Sequence, residues 1–193
     1  MKELEQRILK DGDILGGDIL KVDSFLNHQL DISLLEHIGE AFYEAFKDDH
    51  VTKLVTIEAS GIAIACIAAL KFNVPVVFAK KAKSHNLGND VYTSKVHSYT
   101  YDRDYDITLS RKYLSENDTI VIIDDFMANG LAMEGLLDIA KQAGAKVAGI
   151  GICIEKGFQP GGQRLRNEGY KLVSLAIVDE MKDGQIKFRE LDD

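Results

Sequence analysis

The run Thr119-Ile-Val-Ile-Ile-Asp-Asp-Phe-Met-Ala-Asn-Gly-Leu-Ala132 constrains the chain more than any other stretch. Its four consecutive β-branched apolar residues, Ile120 to Ile123, mark a strand buried on both faces, as in a parallel sheet. Two carboxylates follow, then a turn with glycine, then a helix. Open α/β sheets hold ligands beyond the carboxyl ends of their strands, and the acids stand at such an end. Ala128, Asn129 and Gly130 leave the backbone uncovered, so its N–H groups can surround a phosphate at the positive end of the following helix. The dipole alone supplies only about 0.3–1 kcal/mol per exposed charge, so hydrogen bonds from those N–H groups must provide most of the grip. Asp124 and Asp125 are acceptors only when ionised and suit a sugar diol or a divalent metal. Phosphate and diol together point to a ribose 5-phosphate. An acid pair at a strand end also occurs as a plain cap.

The rest of the chain reads as repeats of the same unit. Leu34, Leu35, Ile38, Ala41, Phe42, Ala45 and Phe46 recur at helical spacing and predict an amphipathic helix between Asp31 and Lys47. A strand over 53–57, a turn Glu58-Ala-Ser-Gly61, a helix over 62–70 and a strand over 74–78 follow. The pattern returns with the strand at 119–123, a helix over 131–143 stopped by Gly144, and a strand over 146–154. Repeated β-α-β units imply a parallel sheet with helices on both faces. At 193 residues and 46% hydrophobic, the chain fits one α/β domain, 1–193. The segment 84–110 is polar and Tyr-rich and alternates around Tyr101 to Asp104, predicting a two-stranded excursion with too little apolar surface to be held still.

Composition excludes several classes. The net charge of −8 argues against a generic nucleic-acid binder, which needs a basic face. No apolar run is long enough for a membrane span or an export signal. Cys66 and Cys153 lie in apolar runs, so buried thiols in a reducing cytosol are expected, with no disulfide framework. The five histidines show no zinc spacing.

Two more turns face the same sheet edge. The backbone and the Ser60 hydroxyl of Glu58-Ala-Ser-Gly61 can take an anion at a second helix start. Lys80-Lys81-Ala82-Lys83 puts three ammonium groups at a third strand end of an acidic chain, where local positive charge would offset repulsion of a polyanion. A nucleobase needs an apolar wall and a few directed polar groups. Glu155-Lys156-Gly157-Phe158 offers a ring and a donor, and the segment from Leu20 to Gln29 offers an apolar contact in Leu20 and an amide in Asn27.

The stretch Ile120 to Ala132 resembles the phosphoribosyl diphosphate (PRPP) signature of type I phosphoribosyltransferases. The segments Ile19 to Gln29 and Glu155 to Phe158, and the whole length, resemble the xanthine phosphoribosyltransferases of Gram-positive bacteria. The resemblance implies that family's fold: a mostly parallel twisted sheet flanked by helices, a flexible hairpin lid at 84–110, and a small hood from 1–30 and 155–193. It implies purine salvage, in which PRPP and xanthine give xanthosine 5'-monophosphate and diphosphate. Asp124 and Asp125 would be the catalytic acids, and Ala128, Asn129, Gly130, Leu131 and Ala132 the phosphate loop. Ser60, Gly61, Lys81 and Lys83 would take the diphosphate. Leu20, Asn27 and Lys156 would contact the base, with Phe158 stacking on it. Mg2+ would arrive on substrate oxygens rather than in a protein cage, and a cytoplasmic homodimer is implied. The alternatives are guanine or hypoxanthine specificity, or a PRPP-sensing purine regulator. Such regulators carry an extra N-terminal DNA-binding domain, whereas only about fifty residues precede the first core strand here.

Overall fold

The computed structural model describes residues 1–16, 18–81, 90–98, 103–182 and 184–190. In chain order these form α1 (Lys2–Asp11), β1 (Asp13–Leu15), β2 (Ile19–Lys21), a π-helical turn (Asp23–Asn27), α2 (Ile32–Phe46), β3 (Lys53–Ile57), α3 (Ser60–Phe72), β4 (Val76–Ala79), β5 (Val91–Ser98) and β6 (Arg103–Ser110). Then come β7 (Thr119–Met127), α4 (Leu131–Ala143), β8 (Lys146–Lys156), α5 (Pro160–Asn167), β9 (Leu172–Lys182) and β10 (Gln185–Phe188). The central sheet runs β10-β9-β8-β7-β3-β4, parallel throughout except for the antiparallel edge pair β10 and β9.

β7 shows why a strand here is apolar at every position. Ile120 and Ile122 face one core and Val121 and Ile123 the other, as the two-residue period of a strand requires. The first core is closed by Leu4 and Ile8 of α1, Leu35, Ile38, Phe42 and Phe46 of α2, and Ile64 and Ala68 of α3. The second is closed by Met133, Leu136 and Ile139 of α4 and Leu165 of α5. Cys153 is buried, but Cys66 is exposed, because α3 is apolar on its outer side as well as its inner one. The expectation of two buried thiols fails there.

Several boundaries differ from those predicted. β7 extends through the two acids to Met127 because β8 continues beside it, pairing Asp124 with Ile152 and Met127 with Glu155. The acids therefore sit within a paired strand rather than beyond it. α3 starts at Ser60, so Ser60 and Gly61 form its first turn.

The two strands expected of the excursion are present, but more of their apolar surface is buried than the sequence reading allowed. β5 and β6 are antiparallel, and Tyr92, Val96, Ile107 and Leu109 on them are buried. Val96 Cγ2 and Ile107 Cδ1 would stand 2.6 and 2.8 Å from a Cβ added at Gly135 of α4. Thr108 and Lys80 exchange backbone hydrogen bonds of 2.9 Å, tying β6 to the chain beyond β4. A few aliphatics on one face suffice to dock these strands, which a count of aliphatics does not reveal. Residues 84–89 and 99–102 of the expected lid lie outside the described residues.

On the α2 side, Gly149 and Gly151 of β8 lie under two rings. A Cβ at 149 would meet Phe46 Cε1 at 2.3 Å, and one at 151 would meet Phe42 at 2.9 Å. Both rings are fully buried. Gly149→Ala is expected to cost about 1–3 kcal/mol by overpacking, measured as a lower urea midpoint at unchanged m-value.

Candidate active site

Because β3, β4, β7 and β8 are parallel neighbours, the residues following all four emerge at one sheet edge. The loop after β7 borders a cavity of about 120 Å3, lined by Asp124 and by residues 126–133. Gly130 has φ +85, a left-handed conformation that glycine adopts freely, and it caps α4. The Asn129 side chain accepts from the Leu131 N–H at 3.3 Å. One N–H expected to face a phosphate is thus already engaged by the loop's own amide.

Asp124 and Asp125 are both buried. Asp124 Oδ1 accepts from the Asp125 backbone N–H at 3.0 Å, and Asp125 Oδ1 accepts from the Phe126 N–H at 3.0 Å. Burial, then the neighbouring Asp125 carboxylate, push the Asp124 carboxyl well above the ordinary carboxylate range, with the Asp125 N–H and the Lys81 ammonium acting the other way. A Cβ at Gly61 would stand 3.0 Å from Asp124 Oδ1 and 2.1 Å from Thr56 Oγ1. The start of α3 can therefore lie against the acid only as glycine.

The neighbouring loops are laced together. Glu58 accepts from the Lys81 backbone N–H at 2.7 Å, and the Glu58–Ala59 peptide bond is cis. Ser60 is half-buried and the Lys81 side chain is exposed. Lys83 lies outside the described residues.

Asn27, at the end of the π-helical turn, donates from Nδ2 to Asp125 Oδ2 at 3.2 Å. Lys156, at the end of β8, donates to the Asp18 carbonyl at 2.7 Å. Burial lowers the Lys156 amine below its ordinary value, with Asp18 opposing. Leu20 of β2 is buried, whereas the Phe158 ring is 43% exposed. The structure thus brings Asn27 to the acid pair and Lys156 to the loop between β1 and β2. No close ring contact involving Phe158 is observed among the described residues.

The family model for the phosphoribosyl transferase domain matches residues 23–185. The chain belongs to the phosphoribosyltransferase family. Among curated relatives, a xanthine phosphoribosyltransferase of Ruminiclostridium cellulolyticum is 56% identical over 98% of this chain and all of that protein. Another, of Bifidobacterium adolescentis, is 54% identical over the same shares. Solved phosphoribosyltransferases share the fold at low identity. The adenine phosphoribosyltransferase of Rhodothermus marinus superposes with a TM-score of 0.75 at 20% identity, covering 92% of this chain and all of that one. The Trypanosoma brucei adenine enzyme gives 0.77 at 18% identity, covering 93% of this chain and 81% of that one. No helix among the described residues is long and apolar enough to cross a membrane.

Phosphoribosyltransferases generally use PRPP together with Mg2+. No group of three or more His, Cys, Asp and Glu side chains gathers to hold a metal among the described residues. Mg2+ commonly keeps several waters and binds through one or two carboxylates plus substrate phosphates. Asp124 and Asp125 are the carboxylates that would join such an ion if it arrived on a substrate.

Sequence reasoning missed three groups. The Glu155 carboxylate is buried and is gripped by both terminal nitrogens of Arg166, each at 2.7 Å, and by the Ser174 hydroxyl. Arg164 donates to the Asn129 carbonyl in the loop after β7. Burial, and then the charge of Asp124, hold the hydroxyl of Tyr105 in β6 above its ordinary pKa. The partners come from elements distant in sequence, so no local pattern announces them.

The raised Asp124 carboxyl has a measurable effect on stability. Its proton is held more tightly in the folded chain than in the unfolded one. The group costs nothing below the unfolded carboxylate range and destabilises the fold increasingly as pH rises through its folded value. Asp124→Asn is therefore expected to melt higher than the wild type at neutral pH, with the gap closing on acidification to about pH 4. An unchanged or lower melting temperature at neutral pH would contradict this.

Proposed function

We propose that the protein serves purine salvage by transferring the 5-phosphoribosyl group of PRPP to N9 of xanthine, giving xanthosine 5'-monophosphate and diphosphate. The observation that carries this reading is the Asn27 amide standing 3.2 Å from Asp125. On this reading Asn27 is the base-side group and Asp125 the sugar-side acid, next to Asp124, which lines the cavity with residues 126–133. The xanthine phosphoribosyltransferases related over the full chain support the same substrate.

In the reaction, the bond from ribose C1 to the diphosphate oxygen breaks, a bond from N9 forms on the opposite face, and the N9 proton is released. The loop after β7 would hold the 5'-phosphate, and Asp124 and Asp125 would hold the ribose hydroxyls and favour the growing positive charge on the ring. Ser60, Gly61 and Lys81 would take the diphosphate. Bound Mg2+ would supply further neutralisation of the leaving group. Among the described residues we assign no covalent nucleophile; positioning and exclusion of water would carry the rate.

Xanthine presents oxo groups at positions 2 and 6, which suit donors from Asn27 and Lys156. Adenine would set its amino donor against Lys156, and a closed site with such an unpaired donor can reject a ligand by roughly 10⁴. Hypoxanthine lacks the 2-oxo group and forgoes the Asn27 contact. Incubating the protein with PRPP, Mg2+ and each purine base, and identifying the nucleotide by mass, tests the reaction. Formation of none overturns it. Asn27→Ala should narrow the xanthine-to-hypoxanthine ratio of kcat/KM, and an unchanged ratio would remove Asn27 from selectivity. We further propose a cytoplasmic homodimer, to be checked by the mass of the protein in solution.

A further inference from the structure

The phosphate loop is held from behind by α5, which adds nothing to the lining of the cavity. Two carbonyls of the loop point to that helix. Ala128 O accepts from the Gly161 N–H at 3.1 Å, and Asn129 O accepts from Arg164 Nη2 at 3.3 Å. A Cβ at Gly161 would stand 2.4 Å from Ala128 O and 2.7 Å from Gly130 N, so the first turn of α5 lies directly on the loop backbone. Arg164 also pairs with Glu134 in the first turn of α4. Its guanidinium thereby spans α5, the loop and the helix that the loop starts.

A planar trans peptide points its C=O and N–H in opposite directions. Drawing the Ala128 carbonyl back toward α5 turns the Asn129 N–H forward, and drawing the Asn129 carbonyl back turns the Gly130 N–H forward. We take forward to be the cavity side, since α5 contributes nothing to the cavity lining. Leu131 has given its own N–H to the Asn129 side chain, so these two donors matter more than they would in a loop with every N–H free.

We propose that Arg164 is a positioning residue for phosphate binding: it fixes the Asn129–Gly130 peptide so that the loop meets a phosphate monoester with its donors already aimed. The role rests on the reading of the cavity as the 5'-phosphate site. Arg164 does not line the cavity itself. Its effect falls on the phosphate end of PRPP and spares the base and the diphosphate.

The test compares wild type, Arg164→Ala, Arg164→Lys and Glu134→Gln. Binding of ribose 5-phosphate and of magnesium diphosphate is measured by calorimetry, and KM is measured separately for PRPP and xanthine. Loss of a net hydrogen bond and its preorganisation predicts that Arg164→Ala weakens ribose 5-phosphate by about fivefold to tenfold and raises the PRPP KM in step. Diphosphate affinity and the xanthine KM should stay within about twofold, the margin of a surface substitution. Lysine should restore much of the loss, and Glu134→Gln, which frees the far side of the guanidinium, should show a smaller loss of the same selectivity. Arg164 is partly exposed, so folding should survive; equal melting temperatures check this. Unchanged ribose 5-phosphate affinity in Arg164→Ala, or a parallel loss for all ligands, overturns the role. Failure of the wild type to bind ribose 5-phosphate at all would instead overturn the phosphate site, and this role with it.

Discussion

Asp125→Asn is expected to fold normally and to form nucleotide at about 10²–10⁴ below the wild-type rate, since two charged hydrogen bonds at roughly 1.5–3 kcal/mol each would be weakened in the transition state. The fold is spared because an amide oxygen can still accept from the Phe126 N–H, as Asp125 Oδ1 does at 3.0 Å. The chemistry is not spared. The new NH2 would face the Asn27 Nδ2 donor where a carboxylate oxygen now accepts at 3.2 Å, and a neutral group cannot favour positive charge on the ribose ring. Initial rates with saturating PRPP and xanthine, beside a melting curve, measure both halves. Wild-type turnover in a folded variant would remove Asp125 from the reaction.

Arg166→Met is expected to cost stability heavily, by about 3 kcal/mol, because removing one partner leaves a buried carboxylate uncompensated. The Glu155 side chain is 2% exposed, against 29% for Arg166, so the acid pays nearly all of the penalty. Ser174 alone would remain to donate to it. Replacing both partners, as Glu155→Leu with Arg166→Met, should recover much of the loss, since a buried pair replaced by apolar groups is often close to neutral. Urea unfolding of the two single variants and the double variant measures the coupling. A loss below about 1 kcal/mol in Arg166→Met would place it among ordinary surface substitutions. Glu155 directly precedes Lys156, so a loosened strand end should also raise the KM for the base.

How much of this was legible in the sequence depended on how local each signal was. The core strands and helices show in runs such as Ile120 to Ile123 and in the spacing of Leu35, Ile38, Phe42 and Phe46, because burial on one or two faces writes its period into neighbouring residues. The acids and the glycine turn show for the same reason. α1 went unpredicted, because Leu4 and Ile8 are its only buried residues and two positions one helical turn apart make a weak periodic signal. The hairpin misled because its apolar residues are few, and only their common face, Tyr92 opposite Leu109, Ser94 opposite Ile107 and Val96 opposite Tyr105, lets them dock. Arg164 and Arg166 read as ordinary surface cations until α5 folds back. Their acceptors, Asn129 and Glu155, then lie 35 and 11 residues away. The site was thus legible where one segment builds it, and hidden where tertiary packing does.

The rings of Phe42 and Phe46 resting on Gly151 and Gly149 fix how closely α2 lies on β8. With no side chain interposed, the helix stands one aromatic thickness from the strand, so a bulkier residue at either glycine would have to lift the helix off the sheet.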